Sequence, residues 1–453
     1  MPHLADDTIV AISTPPGRGG IGIVRLSGPD ARAIAEPLLK LRHPLAPAQA
    51  RFAQILDNTG EILDEAVVTW FQSPHSYTSE DVVEIAAHGS PVLLDHLLRR
   101  CLAAGARLAE PGEFTHRAFL SGRLDLTQAE AVHDLIESTT LHQARIAARQ
   151  LGGSLSRQIA PIKQQLIALI APLEAGIDFA EDDIDLLPTA QITARIEAIQ
   201  TPLRALEQTF AYGKIVREGF TLAIVGRPNA GKSSLFNRLV QRDRAIVTAT
   251  PGTTRDLVTE RISLEGIPVE LIDTAGLRET NNLDEAEAIG IQKSREAIAE
   301  ADIALLVLDA TTPLHAEDEA LINQSDRPLL IAINKHDLSP KSPLTTPLIH
   351  PTIQTSALTG HGIAELRATI LKRVAVAPPP AETALLTNLR HQQAVTTAIA
   401  ALTRAHQAAA TNTPHEMLLL DLYESLSALD ALTGATTTED ILHLIFSSFC
   451  IGK

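Results

Sequence analysis

Thiols are scarce in this 453-residue chain, which has two cysteines, Cys101 and Cys450. Two thiols cannot build a disulfide framework or a four-thiolate metal centre, so a reducing, cytoplasmic setting is expected. Aromatic residues make up 3% of the sequence, with one Trp and three Tyr. That is too few for a surface on which bases stack. Cations are outnumbered, with 38 Lys and Arg against 54 Asp and Glu and a formal net charge of -16. A broad nucleic-acid-gripping face needs clustered Lys and Arg, so this balance argues against one. Any nucleic acid would meet a local patch or be held by another protein. The longest apolar runs, such as residues 303–308, fall far short of the roughly 20 residues that span a bilayer. The opening MPHLADDTIV has neither a basic start nor an apolar core, so no secretory signal and no membrane partner are expected.

What is present is ordinary in bulk, 45% apolar and 20% charged, but the chain is too long for one core. Over residues 1–116 the runs TIVAIST, IGIVRLSG, EAVVTWF and DVVEIAAHG alternate with turn signals, interrupted by one helical pattern at 93–104. That texture predicts an α+β domain. Residues 117–216 turn helical, with breaks at Gly152-Gly153 and Pro188, and Thr127 with Glu130 predicts a capping box. Over 217–376, strands and helices alternate as in a doubly wound parallel sheet. Pro378, Pro379 and Pro380 mark a linker, and helical texture resumes within 377–453. The economical reading is a multidomain α/β protein in which a nucleotide domain is inserted into a helical one.

The run TLAIVGRPNAGKSSLFNRL places Gly226, Gly231, Lys232 and Ser233 in Walker A spacing, after an apolar strand pattern and before an amphipathic helix. Backbone N–H groups of Asn229, Ala230, Gly231 and Ser234 would close around phosphates. Lys232 would reach the terminal phosphates, and the Ser233 hydroxyl would ligate Mg2+. LIDTAGL then offers Asp273, Thr274, Ala275 and Gly276, an acid for the Mg2+ shell and an N–H for the γ-phosphate. TATPGTTRD resembles a switch loop of Thr248, Ala249, Thr250, Pro251, Gly252, Thr253 and Thr254, with Thr254 as the second hydroxyl on Mg2+. Asn334, Lys335 and Asp337 end another strand pattern. The Asp337 carboxylate can accept from guanine N–H groups that adenine does not offer, and Ser356 with Ala357 would complete the base pocket. Together these predict a GTP-binding domain. Where Ras-like enzymes carry a water-positioning Gln, this chain has Leu277, and Asp284, Glu285 and Glu287 follow in LDEAEAIG. Any of the three could orient a water, although such acidic runs more often form a solvated helix start.

GRPNAGKSSL, TPGTTRD, DTAGLR, NKHD, the N-terminal TPPGRGGIGIVRLSG and the terminal FCIGK together closely resemble the bacterial family of tRNA wobble-uridine modification GTPases, MnmE/TrmE. The resemblance runs along the whole chain and implies a Ras-like P-loop G domain activated by K+, with Asn229, Thr248, Thr250 and Thr253 around the ion. It also implies Glu287, in the segment Glu287-Ala288-Ile289-Gly290, as the water-positioning acid. The first domain would be tetrahydrofolate-binding and dimerising, with Arg25, Glu84, Arg123 and the terminal Lys453 around a 5-formyl- or 5,10-methylene-tetrahydrofolate. Taken singly, Arg25 and Glu84 read as charges facing solvent. Cys450 would lie near the one-carbon unit as a nucleophile; alternatively it is a small buried hydrophobe among Phe446, Phe449 and Ile451. The implied function is addition of an aminomethyl or carboxymethylaminomethyl group to C5 of wobble uridine in tRNA. It would be carried out by a homodimer that joins an FAD-dependent partner subunit in a heterotetramer. From the residues alone, a regulatory ribosome-assembly-type GTPase remains the alternative.

Overall fold

The computed structural model describes residues 7–178, 187–240, 258–273, 296–324, 327–338, 349–374, 379–380, 383–411, 413–435, 445–446, 449–450 and 452. The chain divides into two compact units. One comprises Met1–His133, Gln150–Arg157 and Leu429–Lys453; the other comprises Asp134–Arg149 and Gln158–Ala428.

The first unit is built on β1 (Ile9–Ile12), β2 (Gly19–Ser27), α1 (Ala31–Ala35), β3 (Leu39–Leu41), β4 (Ala50–Leu56), β5 (Ile62–Phe71) and β6 (Val82–Gly89). It continues with α2 (Pro91–Ala103), β7 (Arg107–Leu108), α3 (Glu113–Leu120) and α4 (Leu126–Glu137) as far as His133. The strands form one sheet in the order β3-β4-β5-β6-β2-β1-β7. Strand periodicity sets its two faces. Val24, Leu26, Val83 and Ile85 are buried in one core with Leu94 and Leu97 of α2, which turns Arg25 and Glu84 to the other face. There Phe114 of α3 packs on Ile9 and Ala11. Ion pairs pin α3: Arg117, 3% exposed, reaches Asp7, Glu80 and Glu113 at 2.6, 3.1 and 3.0 Å. Burial works to raise the Glu113 carboxyl, but hydrogen bonds from Arg107 and Arg117 overcome it and hold the group below the usual carboxylate range.

The capping box of α4 is displaced from its sequence expectation. Asp125 and Gln128 form it reciprocally, Gln128 N–H donating to Asp125 Oδ1 at 2.9 Å and Asp125 N–H to Gln128 Oε1 at 3.0 Å. Thr127 lies inside the helix and donates to Asp125 Oδ1 at 2.6 Å. A carboxylate accepts more strongly than a hydroxyl, so the aspartate takes the cap.

The helices that follow are α5 (Leu141–Leu151), α6 (Ser154–Asp178), α7 (Thr189–Glu207) and α8 (Phe210–Glu218), so the breaks fall at Gly152-Gly153 and Pro188. Next come β8 (Phe220–Val225), α9 (Lys232–Val240), β9 (Val258–Leu264), β10 (Ile267–Asp273), β11 (Ile303–Asp309) and α10 (Ala316–Gln324). They are followed by β12 (Leu329–Asn334), β13 (Thr352–Gln354), α11 (Ile363–Val374), α12 (Leu389–Ala410) and α13 (His415–Thr433). The second sheet runs β13-β12-β11-β8-β10-β9, parallel except for β9. Both of its faces are covered. Leu222 and Ile224 of β8 belong to one apolar cluster, and Ala223 and Val225 to another, which is why this strand reads as continuously apolar. Helical segments from either side of this sheet in sequence pack on each other: Gln200 Nε2 of α7 donates to Thr403 Oγ1 of α12 at 2.9 Å. Among the described residues, no helix is long and apolar enough to cross a membrane.

Candidate functional sites

The phosphate loop connects β8 to α9, and its backbone dictates its residues. Gly226 has φ +138° and Gly231 φ +94°, and a Cβ on Gly226 would run into the Val307 carbonyl. Asn229 also holds a left-handed φ of 62°, which asparagine tolerates better than most side chains. Lys232, the first residue of α9 and 8% exposed, donates from Nζ to the Gly226 and Arg227 carbonyls at 2.7 and 2.9 Å. Ser233 and Ser234 are exposed in the first helical turn, where N–H groups and the helix dipole favour an anion.

Asn334 joins this loop to the base-reading loops. It is 2% exposed; Nδ2 donates to the Ala230 carbonyl at 3.1 Å, and Oδ1 accepts from Ala357 N–H at 3.1 Å. A Cβ on Gly231 would collide with Asn334 Nδ2, so glycine there makes the first of these bonds possible. Lys335, at φ 62°, pairs with Asp309 at 2.6 Å. Ser356 is buried and Asp337 exposed. A cavity of about 390 Å³ is lined by Gly231, Ser234, Asn237, Arg238, Asn334, Lys335, Asp337, Leu338, Ala357 and Leu358, large enough for a purine nucleoside. Of these, Asn237, Arg238, Leu338 and Leu358 are absent from the sequence reading. Ser234, Asn237 and Arg238 stand at i, i+3 and i+4 on α9, a helical spacing that could have signalled Asn237 and Arg238. Leu338 and Leu358, 67% and 81% exposed, offer apolar faces without a sequence signature. The expected residues 248–254, 274–276 and 287 lie outside the described residues, as does the side chain of Asp273.

In the first unit, β2 and β6 pair antiparallel with Arg25 opposite Glu84. The guanidinium meets Glu84 Oε1 at 2.9 Å through Nε and 2.7 Å through Nη2, with the two side chains 21% and 26% exposed. Among the described residues, Glu84 Oε2 makes no hydrogen bond. Arg25 also lies 5.8 Å from the Tyr77 ring centre and 5.6 Å from that of Phe114; Arg123 lies 5.8 Å from the Tyr77 ring. Tyr77 is the member that sequence reading misses, one tyrosine in the turn-rich run SPHSYTSED. Burial raises its phenol, against the Thr115 hydrogen bond and the two arginines, so it stays neutral.

The C-terminal segment comes to this place. Phe446 and Phe449, 4% and 5% exposed, pack with Leu126 and Ala129, a burial worth about 1.5–3 kcal/mol per phenylalanine. Gly452 then lies against the end of β1: Ser13 Oγ donates to its carbonyl at 3.0 Å and Arg25 Nη1 at 3.4 Å. Between these anchors, Cys450 is exposed, so it is not the buried hydrophobe that its neighbours suggested. Burial pushes the other thiol, Cys101, up to about 12, which leaves it inert. Lys453 lies outside the described residues.

His116 packs against Phe446 with the rings tilted by 34° and their centres 4.7 Å apart, and burial lowers its pKa despite Glu113 nearby. A depressed histidine contributes stability that is fully present above its unfolded value, about 6.5, and is lost as pH falls through the folded one. Thermal melting should therefore drop between pH 7.5 and 5.5, and His116→Phe should reduce that drop. An unchanged pH slope in the variant would count against this role.

Two family models match this chain. The MnmE helical domain model matches residues 126–450, and the model of the GTP-binding protein TrmE N-terminus matches residues 8–123. The tRNA modification GTPase MnmE of Koribacter versatilis is 59% identical over 99% of both chains. This chain belongs to the MnmE family of tRNA modification GTPases. The Aquifex aeolicus member is 42% identical over 99% of this chain and all of its own. A solved structure of Aquifex aeolicus Era bound to GDP and AlF4- aligns with 40% of this chain and 66% of its own at 27% identity, with a TM-score of 0.26. Membership therefore rests on the full-length relatives. The activity that follows is that of a GTPase acting in tRNA modification.

Proposed function

We propose that this chain hydrolyses GTP to drive modification of C5 of a wobble uridine, using a one-carbon unit from a tetrahydrofolate held by its first unit. The observation that carries this is the docking on Arg25 of Gly452, which follows the exposed Cys450 by two residues. The donor set fits a folate. Glu84 Oε2 can accept from the adjacent N–H groups of a pterin edge, and Arg25, Arg123 and Lys453 match the charge of the glutamate tail. Tetrahydrofolate, when bound, supplies the carbon at the formyl or methylene level; Cys450 would act as nucleophile toward it.

In the second unit, phosphates would sit on the N–H groups of Asn229–Ser234, with Ser233 and Thr254 on Mg2+ and Asn229, Thr248, Thr250 and Thr253 on K+. The exposure of Ser233 in the first turn of α9 and the left-handed turn at Asn229 suit those positions. Glu287 would orient the attacking water, and Asp337 would read guanine. The domain boundaries expected near residues 116, 216 and 376 are part of the same reading.

A second copy of this chain would cover the apolar strip on the open sheet face, where exposed Phe52 and Val67 stand opposite each other on β4 and β5. The homodimer would join an FAD-dependent subunit and tRNA in the cytoplasm. Calorimetry with 5-formyl-tetrahydrofolate tests the reading. Saturable binding that weakens about tenfold or more in Glu84→Ala is expected, from loss of a charge-assisted hydrogen bond. Failure of the unaltered protein to bind would end the folate proposal.

A further inference from the structure

The segment between β11 and α10 touches both halves of the nucleotide site, and its contacts are not those of an ordinary loop. At its start, Asp309 Oδ1 accepts from the N–H and hydroxyl of Thr311 at 2.9 and 2.6 Å, while Oδ2 pairs with Lys335 at 2.6 Å. At its end, Asp318 is the third residue of α10 and accepts from His315 N–H through Oδ2 at 3.3 Å, a helix-start lock. The same oxygen accepts from Arg227 Nε at 3.1 Å, and Arg227 Nη2 donates to Thr312 Oγ1 at 3.3 Å. Asp318 is 1% exposed, and its Oδ1 has no hydrogen-bond partner among the described residues. A carboxylate so deeply buried depends on its one guanidinium partner. Arg227 is a hub of the phosphate loop, its carbonyl accepting from Lys232 Nζ and from Ala230 N–H at 2.9 and 3.3 Å.

We propose that segment 309–318 is a positioning brace for bound guanine nucleotide: Asp318 and Thr312 hold Arg227 and the phosphate loop, while Asp309 holds Lys335 and the base-reading loop. Strand register supports the coupling, because Asp309 lies opposite Asn334 in the β11–β12 pair. The loops are thereby referenced to one another twice, through Asn334 directly and through the brace. Neither aspartate is among the residues that line the cavity; each acts through the basic residue it orients. Arg227 and Asp318 are 91 positions apart in sequence, and no motif spacing connects them.

The test uses the full-length protein and a fluorescent GDP analogue, with Asp318→Asn, Asp309→Asn and the double variant. Each single change should weaken binding about tenfold, the scale of a charged hydrogen bond. The double variant should lose less than the product of the two factors, by about threefold or more, because a segment released at one end holds less at the other. In GTP turnover, KM should rise while kcat changes by less than about twofold, since orientation of the ground state is what is lost. Arg227→Lys keeps the charge without the two-pronged fork and should fall between the unaltered protein and Asp318→Asn. Melting of the nucleotide-free protein separates this from general destabilisation, which would lower the melting temperature and leave affinity at permissive temperature unchanged. Should Asp318→Asn not fold, Thr312→Val takes its place, with about a threefold loss expected. Binding within about twofold of the unaltered protein, or factors that simply multiply, would overturn the brace.

Discussion

Gly452→Val is expected to abolish measurable 5-formyl-tetrahydrofolate binding while leaving the sheet of the first unit folded. Gly452 has φ +100°, and a Cβ there would stand 2.5 Å from the Ile12 carbonyl oxygen and 3.0 Å from Ser13 Cα. Both obstacles are backbone of β1 and its exit, so neither can rotate away. The left-handed strain adds about 1–3 kcal/mol. Relief comes from lifting the tail, which removes the Ser13 and Arg25 contacts to the Gly452 carbonyl together. Cys450, two residues before Gly452, then moves off with the tail, while Phe446 and Phe449 stay buried. Calorimetry should show affinity reduced by about 100-fold or more, equivalent to the roughly 3 kcal/mol of lost contact and strain, with a melting temperature close to that of the unaltered protein. Binding that survives the change would mean that the tail is not part of the pocket.

The second large effect is expected at Asn334. Its side chain spends both ends inside the nucleotide site, on Ala230 and Ala357. Asn334→Ala leaves a buried carbonyl and a half-buried N–H without those partners and frees two loops from each other. Two such bonds together are worth about 2–4 kcal/mol, on the order of 100-fold in the dissociation constants of GDP and GTP. Gly231→Ala should reproduce most of this loss, because its Cβ claims the space of Asn334 Nδ2. Asn334→Asp should also bind weakly: the amide donor to Ala230 becomes an acceptor facing a carbonyl oxygen. Titration with a fluorescent GDP analogue decides the matter. A dissociation constant in Asn334→Ala within about threefold of the unaltered protein would show that the loops hold their places independently.

The two sites differ in how far sequence alone reveals them. The phosphate loop is legible because its chemistry is local: glycines at left-handed positions, a lysine and a serine within eight residues, and flanking elements with clear periodicity. The same is true of β8 and β12, whose unbroken apolar runs are what a sheet covered on both faces requires. β3 and β7, of three and two residues, are too short to carry periodicity, and they exist only because longer strands pair with them. The α4 cap shows a finer limit. Both Thr127–Glu130 and Asp125–Gln128 satisfy the capping pattern, and the choice between them depended on where the helix began.

The Arg25–Glu84 site lies at the other extreme. Arg25 and Glu84 are 59 residues apart, and each is what an exposed strand position ordinarily holds. By itself the sequence determined that each occupied an alternating strand with one apolar face. Register then set them opposite each other, and the fold returned Gly452 from 427 residues away to the arginine. Likewise, Tyr77 between two arginines and Asp318 beneath Arg227 became visible only in three dimensions. Motifs encode chemistry carried by neighbouring residues, whereas pairings between distant residues follow from how the strands align and which apolar faces must be buried together.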